Sequence, residues 1–378
     1  MLIKIFIFIV TYLPILILMG IIPYLTRKTE CFGYTIPMEA HKSNKLKMLK
    51  SSYRNKVFIF GGILFIVFIA AIVFITSEFI YSIIYIIGIL LGLALGVVFY
   101  LEGRKKVAIL KQSEEFSLSD KSQKIIIDTG FRNKKILVSP LWFLTYIFVI
   151  VATVIYMFVA FDKIPEKLPL QIDLDGNVTN YMSKENAMVF FPCMQIFLSI
   201  MFIFLYWMIG KSKQQLDPAR AKISIEQNRI FRYVWSVYIL VTGLLINSLF
   251  SIFQFYAINE KMNSKSLLVV NVVLLVLVLF SAIVLSIYTG QGGNRIRIKG
   301  VDSEEVRKIM KDTTIIRDSD DHWKLGVFYY NHDDPALFVE KRFGVGWTLN
   351  FANKIAISIF VGIIVLSIII SIVSVNLK

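Results

Sequence analysis

Eight blocks of about 20 predominantly apolar residues, parted by polar segments, constrain this chain more than any other feature. They run approximately Leu2–Leu25, Val57–Thr76, Phe79–Leu101, Pro140–Phe161, Ala187–Ile209, Val234–Tyr256, Leu267–Tyr288 and Ile355–Val375. A helix rising about 1.5 Å per residue needs about 20 such residues to cover a hydrocarbon core roughly 30 Å thick. Lipid offers no partner for an open backbone, so each block is expected to be one transmembrane helix. A charged fraction of 18% against the quarter usual in soluble domains points the same way. The expected fold is an all-α polytopic membrane protein with about eight transmembrane helices and a small cytoplasmic α+β domain before the last. The first block follows Lys4 as a signal peptide would, but it is too long and lacks a small-residue cleavage site, so it is read as retained. Crossings two and three, joined only by Ser77 and Glu78, should form a tight helical hairpin. Cys31 and Cys193 fall at different membrane depths and imply no disulfide.

Charge orients the chain. The segments after crossings one, three, five and seven carry 8, 9, 6 and 11 Lys and Arg residues, 34 of the 41 in all. By the positive-inside rule these segments are cytoplasmic and both termini lie outside. The same segments hold 19 of the 26 acids, so topology alone accounts for the net charge of +15. Nucleic acid is not needed to explain it, and no docking motif or basic patch with interleaved aromatics is present. Lys42, Lys45, Lys47, Lys50, Arg54 and Lys56 precede the second crossing, where they attract anionic headgroups of the bilayer. The expected organisation is residues 1–101, three crossings with the basic loop 26–56; 102–139, a cytoplasmic loop with a hairpin in Lys124–Ser139; and 140–210, two crossings around an outer loop at 162–186. Residues 211–289 follow as a linker and two crossings, 290–354 as the α+β domain, and 355–378 as the last crossing.

Outside the lipid, two segments have structure written into them. In the outer loop, alternating Leu170, Ile172 and Leu174 suggest a short strand before a turn at Asp175, Gly176 and Asn177. Asp173 and Asp175 in D-L-D-G-N suggest a calcium loop, but the twelfth position is Lys184 rather than Glu, so the run is read as a glycine turn. In the inner domain, Asp302 and Glu305 form a capping box opening a short helix with Val306, Ile309 and Met310 on one face. Then WKLGVFYY, a turn at Asn331–Pro335 and ALFVEKRF are expected to make one hairpin, with Trp347, Asn350 and Phe351 as an interfacial belt before the last crossing.

Candidate chemistry is sparse. His41, His322 and His332 carry no motif; the acids around the last two, Asp318 to Asp321 and Asp333 to Asp334, are read as turn chemistry rather than a metal site. Gly290, Gly292 and Gly293, and Gly344 and Gly346, lack the strand and helix that a phosphate loop requires, and are read as turns. No ionisable residue sits at the centre of a crossing; Glu78 and Glu102 lie at ends. Asn247, Ser251 and Gln254 share a face of crossing six suited to interhelical hydrogen bonds. No catalytic residue, metal or cofactor is assigned.

Some peptides are informative as peptides. Ile164, Pro165, Leu168, Pro169, Asp175, Gly176, Asn177, Ser183, Lys184 and Pro192 together resemble the signature of a widespread bacterial membrane domain of unknown function. That domain is also present in the SdpI-type immunity proteins, which protect spore-forming bacteria from the sporulation-delaying protein toxin. W-K-L-G-V-F-Y-Y-N from Trp323, D-D-P at Asp333–Pro335 and V-E-K-R-F-G-V-G-W-T-L-N at Val339–Asn350 resemble a second uncharacterised domain paired with it in larger homologues, as does Ile22–Pro37. The resemblance implies a multi-pass protein of a bacterial plasma membrane. It directs attention to ligand or partner contacts at Ile164, Pro165, Pro169, Asp173, Asp175, Gly176 and Asn177 outside. Inside, it points to Trp323, Gly326, Tyr329, Tyr330, Asn331, Asp334, Pro335, Lys341, Arg342, Gly344 and Trp347. The immunity proteins are smaller and lack the C-terminal domain, and their relatives also hold a repressor at the membrane. The expected function is non-enzymatic: toxin-peptide immunity, or envelope sensing with an extracellular peptide and a cytoplasmic protein as partners. A small-solute transporter or permease is the alternative, and a membrane-embedded enzyme the third reading.

Overall fold

The computed structural model describes residues 2–37, 40–112, 135–173, 177–216, 221–258, 264–298 and 320–376. Most of the hairpin expected in Lys124–Ser139, the helix expected from Asp302, and the turn residues Asp175 and Gly176 lie outside the described residues. The chain is mostly helical, and seven of its helices are long and apolar enough to cross a membrane. They are α1 (Leu2–Leu25), α2 (Asn44–Val73), α3 (Glu78–Lys111), α4 (Leu144–Val159, entered through a 3-10 turn at Pro140–Phe143), α5 (Lys184–Lys211), α6 (Ala221–Ile258) and α7 (Ser264–Thr289). The eighth expected crossing is also helical: α8, Lys354–Asn376, whose 23 residues reach about 34 Å. The helices turn large apolar side chains outward, among them Phe79, Leu90, Val98, Phe148, Val159 and Phe280, as elements solvated by lipid must.

Several helices outrun their apolar blocks. α2 begins 13 residues before Val57 and α3 continues ten beyond Leu101, extending about 20 and 15 Å past the apolar edge. The Lys, Leu and Arg residues there are good helix formers with no Pro among them, so nothing ends the helix where the lipid ends. The α2–α3 connection is the tight hairpin expected: the Ser77 hydroxyl accepts from the Ile80 N–H at 3.4 Å and starts α3 at Glu78.

The chain divides into two units, Met1–Lys134 with Ser212–Phe231 and Leu279–Ile357, and Lys135–Lys211 with Arg232–Val278 and Ser358–Lys378. In the first, α1 lies against α2 and α3 along glycines four residues apart: Gly88 faces Phe8 and Gly92 faces Tyr12. Tyr12 reaches across to donate to the Gly61 carbonyl at 2.9 Å. Small residues at this spacing let helices approach closely, which is the main attraction available where lipid is as apolar as the side chains.

The C-terminal region differs from the single hairpin expected. It forms two: β5 (Trp323–Lys324) with β6 (Phe328–Tyr329), and β7 (Phe338–Glu340) with β8 (Trp347–Leu349). The first reversal falls inside WKLGVFYY because Leu325 and Gly326 take left-handed φ of 52° and 72°; the second falls at Gly344 and Gly346. Asn331–Pro335 therefore links two hairpins instead of closing one. Asn350 clasps that link: its side-chain amide donates to the Asn331 and Asp334 carbonyls at 2.8 and 3.0 Å, and its oxygen accepts from the Asn331 N–H at 3.1 Å. Asn350 is fully buried, so it is a structural clasp and not part of an interfacial belt.

In the second unit the loop between α4 and α5 is a full hairpin, β3 (Lys167–Ile172) with β4 (Val178–Ser183). The sequence reading found a strand before the turn and missed β4, whose polar residues hide its alternation. Leu168 pairs with Met182 and Pro169 with Tyr181, and an extra residue at Leu170 bulges the strand.

Candidate functional site

The C-terminal hairpins are held against other segments of the first unit by three carboxylates, one fully buried and two half-buried, each at a different place in the chain. Glu340, on β7, is fully buried and forms an ion pair with Arg27, which follows α1. Asn228 of α6 donates to the second carboxylate oxygen at 2.7 Å, and Arg27 donates onward to Gln215 at 2.7 Å. Gly292 makes this approach possible: with φ of 62°, its position would drive any Cβ into the Arg27 guanidinium and the Glu340 carboxylate.

Asp320 is the second. Its carboxylate pairs with Arg342 and Lys111 and accepts from the Thr35 N–H and hydroxyl at 3.2 and 3.1 Å. Burial works to raise its pKa, but the Arg342 and Lys111 cations overcome that and hold it below the ordinary value. The Arg342 guanidinium lies 5.0 Å from the Trp323 ring, a cation–π contact. Beside it Phe343 enters an aromatic box, its ring 4.3 Å from Tyr100 and 5.9 Å from Phe32.

Asp334 is the third. It accepts from Lys213 and from the Tyr329 hydroxyl, both at 2.8 Å, and from the Ala336 N–H at 3.0 Å. Burial again opposes ionisation, and the Lys213 and backbone donors outweigh it, so this carboxyl too sits below the usual range.

These contacts sort the inner residues singled out from sequence. Trp323, Tyr329, Arg342, Gly326 and Gly344 are buried, and Trp323 and Tyr329 form the small core with Val339. Asn331, Asp334 and Trp347 are half-buried, the last with its ring tilted against Phe231, centroids 5.2 Å apart. Tyr330, Pro335 and Lys341 are exposed. His332 contacts the Tyr330 hydroxyl at 3.1 Å and His322 lies edge-on to Tyr329; among the described residues no cluster suited to a metal ion forms. Sequence reasoning missed Arg27, Lys213, Asn228 and Gln291. Gln291 holds the 341–346 turn through two donations from its amide nitrogen and one acceptance from the Gly346 N–H at 2.7 Å. Only the proximity of Gln291 to the glycine run could have flagged one of these four; the others are scattered along the chain.

On the β3–β4 hairpin, Ile164 is buried with Leu168, Met182, Ala187 and Phe191, fixing one face on the helix ends. Asp173 closes the turn: its two carboxylate oxygens accept from the Asn177 N–H and side-chain amide at 2.7 and 3.1 Å. Pro165 and Pro169 are half-buried and Asn177 is exposed, as is Tyr181, opposite Pro169.

Comparison with known families meets the chain at these two places. Residues 148–196, from α4 through the hairpin into α5, match a domain of unknown function, DUF1648. Residues 332–357, from the Asn350-clasped link through β7 and β8 into α8, match a family of unknown function, DUF5808. No curated protein and no solved structure matches the chain.

Within the second unit a polar seam runs between α4, α5 and α6. Thr153 bonds Ser251 at 2.6 Å, Gln195 donates to Ser251 and to the Asn247 carbonyl at 2.9 and 3.0 Å, and Ser199 donates to Asn247 at 3.2 Å. The interhelical role read for Asn247 and Ser251 is thus realised. Gln254, buried on the same helix, has no hydrogen-bond partner for its amide among the described residues.

Proposed function

We propose that this chain is a non-enzymatic, multi-pass protein of a bacterial plasma membrane. Its β3–β4 hairpin faces outward to meet a peptide or envelope component, and its clamped C-terminal region faces a cytoplasmic protein. One observation carries the reading: the hairpin is anchored by a buried face and turns Tyr181, 48% exposed opposite Pro169, away from the anchor. An aromatic on a rigid, cheaply immobilised strand is the kind of residue that anchors a recognition surface. The non-enzymatic part is supported by the use of Asp320, Asp334 and Glu340 in structural pairs, where none is poised as an acid or base. The resemblance to SdpI-type immunity proteins favours a membrane-active peptide as the outer partner.

The test is a deletion strain complemented with wild type or Tyr181→Ala and challenged with membrane-active peptides, with transcription profiled in parallel. Deletion should change peptide sensitivity or transcription, and Tyr181→Ala should restore neither fully. Unchanged sensitivity together with unchanged transcription in the deletion strain overturns the reading.

A second reading, small-solute transport, is favoured by the α4–α6 polar seam with the Gln254 amide beside it. Purified protein in liposomes would then take up a small polar solute, and Gln195→Leu would abolish the uptake.

A further inference from the structure

Between the end of α1, the start of α2 and the turn after α7 lies a cavity of about 460 Å³. Lys28, Lys42, Lys47, Lys50, Arg54 and Arg295 line it, and among the described residues no Asp or Glu does. Asp320 is committed to Lys111 and Arg342, and Glu340 to Arg27, and none of these residues lines the cavity. Positive charge gathered in a concave wall without a carboxylate focuses the field on an incoming anion.

The wall is built, not merely a surface of loose lysines. Lys50 is only 5% exposed and its ammonium donates to His41 Nδ1 at 3.4 Å. A buried ammonium is costly unless an anion or acceptor faces it. Burial and the neighbouring Lys50, Lys28 and Lys47 push the His41 pKa down to about 4, so at neutral pH the ring is an acceptor for Lys50 and adds no charge. The Arg54 guanidinium sits 5.7 Å from the Tyr24 ring and 3.3 Å from the Ser51 hydroxyl, which orients its fork.

Depth suits the site to the membrane surface. Arg54 and Lys50 stand three and seven residues before Val57, about 5 and 10 Å beyond the apolar edge. The headgroup layer on each side of a bilayer is about 5–8 Å deep. We propose that this cavity binds a phosphate group, carried by an anionic lipid headgroup or by a small soluble phosphate compound.

The experiment follows thermal unfolding of the full chain, in neutral detergent with pyrophosphate and in nanodiscs of phosphatidylcholine with or without phosphatidylglycerol. At least one probe should raise the midpoint saturably. Arg54→Gln/Arg295→Gln should weaken half-saturation at least tenfold, whereas Lys105→Gln/Lys324→Gln, which removes the same charge from exposed positions outside the cavity, should not. The His41 ring, followed by NMR, should titrate above 4 when the anion is bound. A response to phosphatidylglycerol alone identifies a headgroup site, and one to pyrophosphate alone a soluble ligand. No stabilisation by either probe, or equal weakening by both double variants, overturns the proposal.

Discussion

At the scale of single residues, Glu340 shows how a buried charge is tolerated. Removing a carboxylate from water is costly, and Arg27 and Asn228 offset that cost only while all three are present. Glu340→Ala leaves the Arg27 cation buried without its counter-ion and should destabilise the fold by about 3–5 kcal/mol. Replacing both partners with apolar residues, Arg27→Met with Glu340→Leu, should recover much of that loss, read by denaturation in detergent. A second prediction concerns acid. His41 titrates at about 4 in the folded chain against an ordinary 6.5. Between those values the unfolded chain binds more protons, so stability should fall as pH drops from about 6.5 towards 4. The groups facing the ring, Lys28, Lys47 and Lys50, are all cations and reinforce that direction. Asp320, held below its ordinary 3.8, adds a further loss only below that pH. His41→Gln should flatten the first part of the unfolding-midpoint profile and Asp320→Asn the second.

At the scale of elements, the reversals of the chain depend on glycines that let backbones touch. Gly33 in the β1–β2 turn, between Glu30–Cys31 and Tyr34–Thr35, and Gly326 in the β5–β6 turn meet face to face: a Cβ on Gly33 would lie 2.6 Å from the Gly326 Cα. Both have positive φ, 77° and 72°. Gly33→Ala or Gly326→Ala therefore meets strain and collision together and should cost more than the roughly 1 kcal/mol of conformational strain alone. Limited proteolysis should then cut the C-terminal region faster than in wild type. This contact explains what could be read from the sequence and what could not. Apolar blocks of about 20 residues announce helices because the lipid sets their length locally. The two C-terminal hairpins were misread as one because nothing in WKLGVFYY shows that Leu325 will adopt left-handed φ; the packing of Gly326 on Gly33, almost 300 residues away, stabilises that turn. β4 was missed for a related reason: Val178, Asn180 and Met182 share one face but not one polarity, and Met182 is placed by Leu168 on the paired strand. Of the candidate site, the aromatic and acidic residues of the C-terminal region were legible as a cluster, but Arg27, Lys213 and Asn228 lie far from it in sequence and carry no local signal.

At the scale of the whole molecule, parity connects structure with topology. The loop after α1, the end of α3, residues 212–216 with the start of α6, and the turn after α7 each contact the C-terminal hairpins or the residues that lead into them, within the first unit. Segments that touch outside the lipid share one side of it. That holds for segments following the first, third, fifth and seventh helices only if each intervening pair returns the chain to the same face. The opposite ends agree, since Lys4 at the start of α1 pairs with Glu78 at the start of α3. Contacts fix the sidedness of these segments relative to one another, and the 34 of 41 basic residues they carry predict which side that is. Cysteine mapping checks the assignment on a quiet background: Cys31 is buried with its thiol pushed up to about 11, and Cys193 lies in an apolar helix. An impermeant maleimide applied to intact cells should label Thr179→Cys on the hairpin and leave Lys47→Cys unlabelled until the membrane is opened. The reverse pattern would turn the molecule over and place the hairpin inside. It would also put the phosphate cavity on the outer leaflet, where the same charge arrangement would meet a different set of anions.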